Sequence, residues 1–264
     1  VTEHIAIDVY LVDDGSTDGT ADAVKEKFPA VHVLSSEGNL FWNRSMNWAF
    51  SEALQQGYQY YLWLNDDTLL RSDALSQLVL TAKTIHQSEP SPSIIVGSIQ
   101  DPDTHHSSYG GLQSLSWWNP FKYKRVLPEA KPKACHTMNG NCVLISHEVT
   151  QKIGNLDSAF SHGIGDIDYG LRARRAGCNI WVAPGFLGEC KNDSAQTKPW
   201  RQSHLGFYER FRRLNQPKGL PFNERKVFMQ RHAGWLWPFY WGLPYARIAG
   251  LQLLGRLEKS ATGS

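Results

Sequence analysis

The stretch Ile7-Asp8-Val9-Tyr10-Leu11-Val12 is mostly apolar and β-branched and breaks at Asp13-Asp14-Gly15-Ser16, which predicts a buried strand ending in a polar turn. Residues 17–28 then read as a helix, with Asp18 or Thr20 as its N-cap and Ala21, Val24 and Phe28 at helical spacing. A strand at 31–34 completes a β-α-β unit. Residues 43–56 have helical character, and an aromatic strand at 58–64 runs straight into Asn65-Asp66-Asp67. A helix at 73–86 and a strand at 93–99 follow. Strands alternating with helices imply an α/β domain with a mostly parallel sheet and helices on both faces, in which ligands sit beyond the carboxyl ends of the strands. Both acidic clusters, at 13–14 and 65–67, fall just past a predicted strand end.

Residues 100–132 are rich in Gly, Pro, His, Ser and Trp without a period, and read as long loops or irregular hairpins over that end of the sheet. A short strand at 142–146, a loop and helix at 159–177 carrying a third acidic pair, and a strand at 179–183 come next. From Arg210 onward the chain is basic, aromatic and punctuated by proline. The expected organisation is one domain over residues 1–200, in two parts at 1–100 and 101–200, with a helical, aromatic extension at 201–264.

Composition narrows the function. A formal charge of +2 leaves no dense basic footprint for nucleic acid. The four cysteines lack a C-x-x-C pair, so neither a zinc site nor a disulfide framework is indicated. No signal peptide is visible, and no apolar run reaches the roughly 20 residues of a spanning helix, so the expected location is the cytoplasm. Ten tryptophans suit a carbohydrate protein, because indole stacks on sugar faces, but they equally suit cores and membrane interfaces.

Three motifs in order, Val12-Asp13-Asp14-Gly15-Ser16-Thr17-Asp18-Gly19-Thr20, Asn65-Asp66-Asp67, and Gly165-Asp166-Ile167-Asp168-Tyr169-Gly170-Leu171-Arg172-Ala173-Arg174, together resemble family 2 glycosyltransferases of the GT-A (Rossmann-like) fold. Within that family the chain resembles the rhamnosyltransferase-like members of bacterial surface-polysaccharide assembly. The resemblance covers most of residues 7–190 and implies an inverting, metal-dependent glycosyltransferase. Its donor would be a UDP- or dTDP-sugar and its acceptor a glycan or lipid-linked saccharide. It also implies nucleotide binding by residues 1–100 and acceptor binding by 101–200.

Residue by residue, the resemblance gives Asp14 to the nucleobase and Asp13 to the turn that supports it. Asn65-Asp66-Asp67 stands in the place of the family's D-x-D motif, with Asp67 as ligand to Mn2+ or Mg2+ and Asp66 on the ribose side. Asn in the first position adds no charge. Asp166 aligns with the general base that deprotonates the acceptor hydroxyl, with Asp168 as the alternative. The family's preceding Glu is Gly165 here. Asn39 to Asn47 resembles a segment that lies along the nucleotide, with Phe41 in a glycine position and Arg44 able to grip phosphate or base. His136, Asn139 and Asn141 fall where the family contacts donor sugar and acceptor. The run Gly188-Glu189-Cys190-Lys191-Asn192-Asp193 lies where many relatives place a metal-binding histidine, leaving Cys190, Asp193 or water for that role. The family's first strand and its Tyr-Asn turn are absent ahead of residue 8, so some other segment is expected to cover the edge they leave, or the chain is trimmed.

The tail from Arg231 through Trp235, Trp237, Phe239 and Trp241 to Tyr245 and Leu254 is too interrupted to span a bilayer. Its aromatics suit peripheral contact with the inner face of the plasma membrane, or packing onto the domain, or a homo-oligomer contact. Two other classes compete. One is a catalytically silent sugar-nucleotide or glycan-binding protein, suggested by Asn65 and Gly165. The other is a nucleotidyltransferase, which would need a Gly-rich, Lys-bearing phosphate loop near the N-terminus that this chain lacks.

Overall fold

The computed structural model describes residues 5–116, 119, 121–191, 205–219 and 221–261, the last eleven of these as backbone alone. Its first unit is β1 (Tyr10–Asp13), α1 (Thr20–Lys27) and β2 (His32–Ser35), with β1 and β2 paired in parallel as a sheet of their own. The predicted first strand is shortened: Ile7 and Val9 lie outside it and are exposed. Helix α1 starts later than expected, because Asp18 accepts from the backbone and hydroxyl of Thr20 while Gly19 occupies the N-cap.

The chain continues through α2 (Phe41–Leu54), β3 (Tyr60–Leu64), β4 (Leu69–Leu70), α3 (Ala74–Ser88) and β5 (Ser93–Gln100). Short strands β6 (Ser107–Tyr109), β7 (Gly111–Ser114), β8 (Tyr123–Arg125), β9 (Lys133–Ala134) and β10 (Thr137–Met138) fill the irregular region, and β7, β8 and β10 make a small antiparallel sheet. Then come β11 (Cys142–Ser146), α4 (His147–Ile153), α5 (Gly165–Arg175) and β12 (Asn179–Glu189). The main sheet runs β3-β11-β5-β12-β4.

That sheet is mixed. β5 and β12 are parallel, whereas β11 is antiparallel to both β3 and β5. The chain leaves β5 at its carboxyl end and returns from the same end without a crossover helix, so β11 has to run back. β5 and β11 are buried along nearly their whole length, as their unbroken apolar runs require. Alternate residues divide between two cores. Val96, Val143 and Ile145 meet Phe50 of α2 and Tyr169 of α5; Ile95, Cys142 and Leu144 meet Leu78, Ala82 and Ile85 of α3.

Among the described residues no strand pairs with the second edge of β1 or of β3. The two sheets are tied instead by polar groups: the Tyr10 and Tyr58 hydroxyls lie 3.0 Å apart, and Tyr58 donates to Asp8 at 2.7 Å. All four cysteines are free and buried.

The C-terminal segment forms α6 (Phe207–Leu214), α7 (Phe222–His232), a short 3-10 turn (Gly234–Leu236) and α8 (Trp237–Ala261). Its inward side packs on the domain, where Phe228, Met229 and Tyr240 join Phe160, Ile164, Ile167 and Leu171 in a third core. Pro244 lies inside α8 and cannot donate to the Tyr240 carbonyl four residues earlier. Buried Arg225 of α7 supplies the missing donor, bonding the Tyr240 carbonyl and, at 3.2 Å, that of Trp241. Burial lowers the Arg225 pKa to about 10. No helix among the described residues is long and apolar enough to cross a membrane.

Candidate functional site

The two members of the first acidic pair face different groups. The Asp13 side chain is buried at the end of β1, and its Oδ1 accepts the Ser16 N–H three residues on at 3.1 Å, bracing the turn. Asp14 faces the loop after β2. Its Oδ1 accepts from the Ser36 hydroxyl (2.7 Å) and the Leu40 amide (3.1 Å), and its Oδ2 from the Phe41 amide (2.9 Å). Burial pushes its pKa up, but these donors outweigh it and hold the carboxyl below the usual range. The clamp has a backbone purpose: Asn39 and Phe41 take φ of 73° and 59°, a left-handed conformation that costs a bulky residue about 1–2 kcal/mol. Phe41 thus adopts the conformation for which glycine is the usual choice.

The triplet Asn65-Asp66-Asp67 occupies the turn between β3 and β4, closed by the Thr68 N–H on the Asn65 carbonyl at 3.2 Å. Asp66 and Asp67 are exposed. Asn65 is not free to orient itself, because the Trp42 indole N–H donates to its Oδ1 at 2.7 Å. An indole can only donate, so the oxygen must face Trp42 and the amide NH2 must face away. Beside the turn, the Thr68 hydroxyl donates to Asn141 Oδ1 at 2.9 Å and the Asn65 N–H to the Asn141 carbonyl at 3.0 Å. The Cys190 thiol lies buried against this cluster, its pKa raised first by burial and then by the neighbouring Asp67 carboxylate. Asn192 and Asp193 lie outside the described residues.

The third acidic pair sits on the first turn of α5 and its two members are treated very differently. Asp166 keeps part of its surface open. Its Oδ2 accepts the Gly140 N–H at 2.9 Å, its Oδ1 the Ile167 N–H at 2.7 Å, and Asn139 bonds it as well. The surrounding protein nevertheless raises its pKa, burial outweighing the hydrogen bonds. Asp168 is 0% exposed. It is gripped by Arg172 (2.8 Å), by His232 Nε2 (2.8 Å) and by Arg231 (3.1 Å), the last two from α7. Burial works against its ionisation, but these partners hold its pKa down. Burial also lowers the pKa of His232, so its imidazole is neutral at physiological pH and Nε2–H is the donor. Arg231 also pairs with Asp157, while Arg172 reaches the carbonyls of Ile153 and Asn155 at 2.9 Å each.

One residue joins the clusters. A methyl group on Gly140 would come within 2.2 Å of the Trp42 ring and 3.2 Å of Asp166 Cβ, so the indole lies close enough to the 139–141 turn to require glycine there. Trp42 therefore touches Asn65 on one side and the turn that holds Asp166 on the other. Gly165 has a similar cause: a Cβ there would sit 1.9 Å from Asn43 Oδ1. Asn43 is fully buried and donates to the carbonyls of Asp157 (2.9 Å) and Phe160 (2.8 Å), fixing α2 to the loop before α5. With Asn43 where it is, the position preceding Asp166 cannot carry a side chain without a shift.

Not every candidate joins this centre. Arg44 is exposed and turns to the Ser158 carbonyl at 3.3 Å. His136 accepts the Ser114 N–H on Nδ1 at 3.1 Å, just ahead of β10 and beside the small antiparallel sheet. Asn39 is exposed on the loop that Asp14 clamps. Trp42, Asn43 and the pair Arg231 and His232 carry no sequence signal of their own, and only their long-range contacts reveal them.

Among the described residues no three His, Cys, Asp or Glu side chains stand close enough to cage a metal. The Asn65 oxygen is taken by Trp42, so the carboxylates of Asp66 and Asp67 are the open oxygen donors of the triplet. That set suits a hard divalent cation that takes most of its shell from diphosphate and water.

Acidic turns at the carboxyl ends of β1 and β3, and a third acid brought to the same end of the sheet on α5, lie where an α/β domain of the GT-A kind receives its ligands. The chain belongs to glycosyl transferase family 2, whose model matches residues 3–154. It is a glycosyltransferase. It is 24% identical over 268 residues to an N-acetylglucosaminyl-diphospho-decaprenol L-rhamnosyltransferase of Mycobacterium tuberculosis, found in two strains, covering 90% of this chain and 80% of that protein. In structure it is similar to GalNAc-T7, solved with UDP, GalNAc and Mn2+, with a TM-score of 0.56 at 15% identity over 93% of this chain and 47% of that one. The chain thus spans about half the length of that protein. Asp166 and Asp168 lie beyond the span of the family match.

Proposed function

We propose that this enzyme moves a sugar, with inversion, from a UDP- or dTDP-sugar to a glycan or lipid-linked saccharide in surface-polysaccharide assembly, at the inner face of the membrane. The observation that carries the reading is the convergence of Asn65 and Asp166 on the two sides of Trp42. Inverting transfer needs a carboxylate across the sugar from the departing diphosphate, and a raised pKa makes that carboxylate a stronger base. Asp166 is this base, and Asp168, saturated by its three partners, is a structural acid.

A divalent metal, Mn2+ or Mg2+, would be held by Asp67 with Asp66 beside it, and would neutralise charge on the leaving diphosphate. Asn65 presents its NH2 to a ribose or phosphate oxygen. A carboxylate accepts about four hydrogen bonds, and Asp14 Oδ2 carries one from protein, which leaves it room for a nucleobase N–H. Residues 1–100 serve the nucleotide and 101–200 the acceptor, with Asn139 and Asn141 nearest the reacting groups. The mycobacterial relative's name, which specifies a lipid-diphosphate acceptor, and the UDP and Mn2+ in the GalNAc-T7 structure support this assignment.

The test is UDP binding with and without Mn2+, followed by nucleotide-sugar hydrolysis and transfer by Asp67→Ala and Asp166→Asn. Metal-enhanced UDP binding, lost in Asp67→Ala, and transfer lost in Asp166→Asn with UDP binding intact are the expected results. Metal-independent UDP binding together with unaltered turnover in both variants would sink the assignment.

A further inference from the structure

Helix α8 has two apolar faces. One points inward, with Tyr240, Pro244 and Ile248 buried. The other faces solvent: Pro238, Phe239, Gly242, Ala246 and Ala249 recur at intervals of three and four residues along α8, and exposed Trp235 stands in the 3-10 turn that leads into it. Trp235 is 86% and Phe239 60% exposed. A helix on the surface of a water-soluble domain carries charge on its outer face. This one has no charged residue from Ala233 to Ala246.

The stripe is held in a fixed orientation. Arg225 bonds the α8 backbone, Arg231 and His232 grip Asp168 of α5, and the Ser161 hydroxyl bonds Glu224 at 2.6 Å. Charge along this segment is one-sided: residues 225–257 contain no Asp or Glu, while Lys226 and Arg247 are exposed and Arg256 follows further along the chain. Tryptophan and phenylalanine flanked by Arg and Lys match the headgroup region of a bilayer, where aromatic rings sit among acyl carbonyls and cations meet anionic phosphates.

We propose that this outward face, made by the 3-10 turn and the start of α8, docks onto an anionic lipid bilayer, with Trp235 and Phe239 inserted at headgroup depth. The helix lies on the membrane and does not cross it. The proposal deepens the lipid-linked acceptor reading above and rests on it for its purpose, though not for its geometry.

The test is co-sedimentation of the full chain with vesicles of phosphatidylcholine alone and of phosphatidylcholine containing phosphatidylglycerol, alongside the variant Trp235→Ser/Phe239→Ser. Nucleotide-sugar hydrolysis in solution and sedimentation equilibrium are measured on the same samples. The native chain is expected to partition onto the anionic vesicles, more weakly onto the neutral ones, and the variant to lose at least about tenfold in partition with hydrolysis unchanged. A native chain that stays in the supernatant, or a variant that partitions equally, overturns the proposal. A native dimer that the variant converts to monomer, without vesicle binding, assigns the face to a second copy and overturns it too. Vesicle partition without any nucleotide-sugar hydrolysis upholds the docking face and counts against the transferase reading alone.

Discussion

Replacing the two acids of α5 one at a time should have opposite consequences. Asp168→Asn keeps the shape of the side chain but removes the charge that holds Arg172, Arg231 and His232. Breaking a buried pair from one side costs about 3–5 kcal/mol. The side chains of Arg172 and Arg231 are 22% and 33% exposed and partly rehydrate, which places the expected loss near the lower end, about 3 kcal/mol. At about 2–4 °C per kcal/mol for a chain of this size, Tm falls by roughly 10 °C. Asp166→Asn sheds a carboxylate that pays a burial penalty but turns an amide NH2 toward one of the two backbone N–H groups it had accepted, so the net loss of stability is smaller, about 1–2 kcal/mol, while transfer is lost. Calorimetry and a transfer assay on both variants read the two effects separately. Because the folded Asp168 pKa is depressed, its stabilisation is present above the ordinary carboxylate value near 3.9 and disappears as pH falls through the lowered folded value. The acid limb of the native stability curve should therefore flatten in Asp168→Asn. An Asp168→Asn protein as stable as the native one, with transfer abolished, would refute this division and return Asp168 to the chemistry.

Further outcomes follow from the same geometry. With Asp166 as the proposed base, ionised to act and with a raised pKa, the transfer rate should fall with decreasing pH through a value above the ordinary carboxylate pKa; a pH–rate profile flat down to pH 4 would contradict it. Trp42→Phe removes the donor that orients Asn65, so the donor KM should rise about fivefold, near 1 kcal/mol, with the fold unchanged. Gly165→Ala forces a methyl onto Asn43 Oδ1 and should cost about 1–3 kcal/mol, visible as a lowered denaturant midpoint; an unchanged midpoint would show that Asn43 yields freely. Arg225→Met leaves the Tyr240 carbonyl at the Pro244 break without its donor, and α8 should become protease-sensitive before the rest of the chain does.

Much of this was written locally in the chain. Strands that end in acids can be read because the apolar run and the polar break are neighbours in sequence, and β11 was placed at residues 142–146 from its apolar run alone. The order of the three acidic motifs likewise carried the family and the fold. Boundaries and strand direction were less legible: β1 begins at Tyr10 because its ladder begins at His32, and β11 runs backwards because no crossover helix precedes it.

Roles were decided by contacts between distant residues. Asp166 and Asp168 are near neighbours in sequence, yet only folding brings Arg231 and His232 onto one of them and the Gly140 amide onto the other. Asn65 resembles a weakened acid until Trp42 is seen to fix its amide, and Gly165 resembles a lost carboxylate until Asn43 is found in its place. The tail's aromatics divided in the same way, Tyr240 inward and Trp235 and Phe239 outward. By itself the sequence determined the family, the fold class and which polar side chains the motifs supply, since those depend on composition and local pattern. Which of them are spent on structure and which remain open is a matter of who their neighbours are, and the tertiary structure alone decided that.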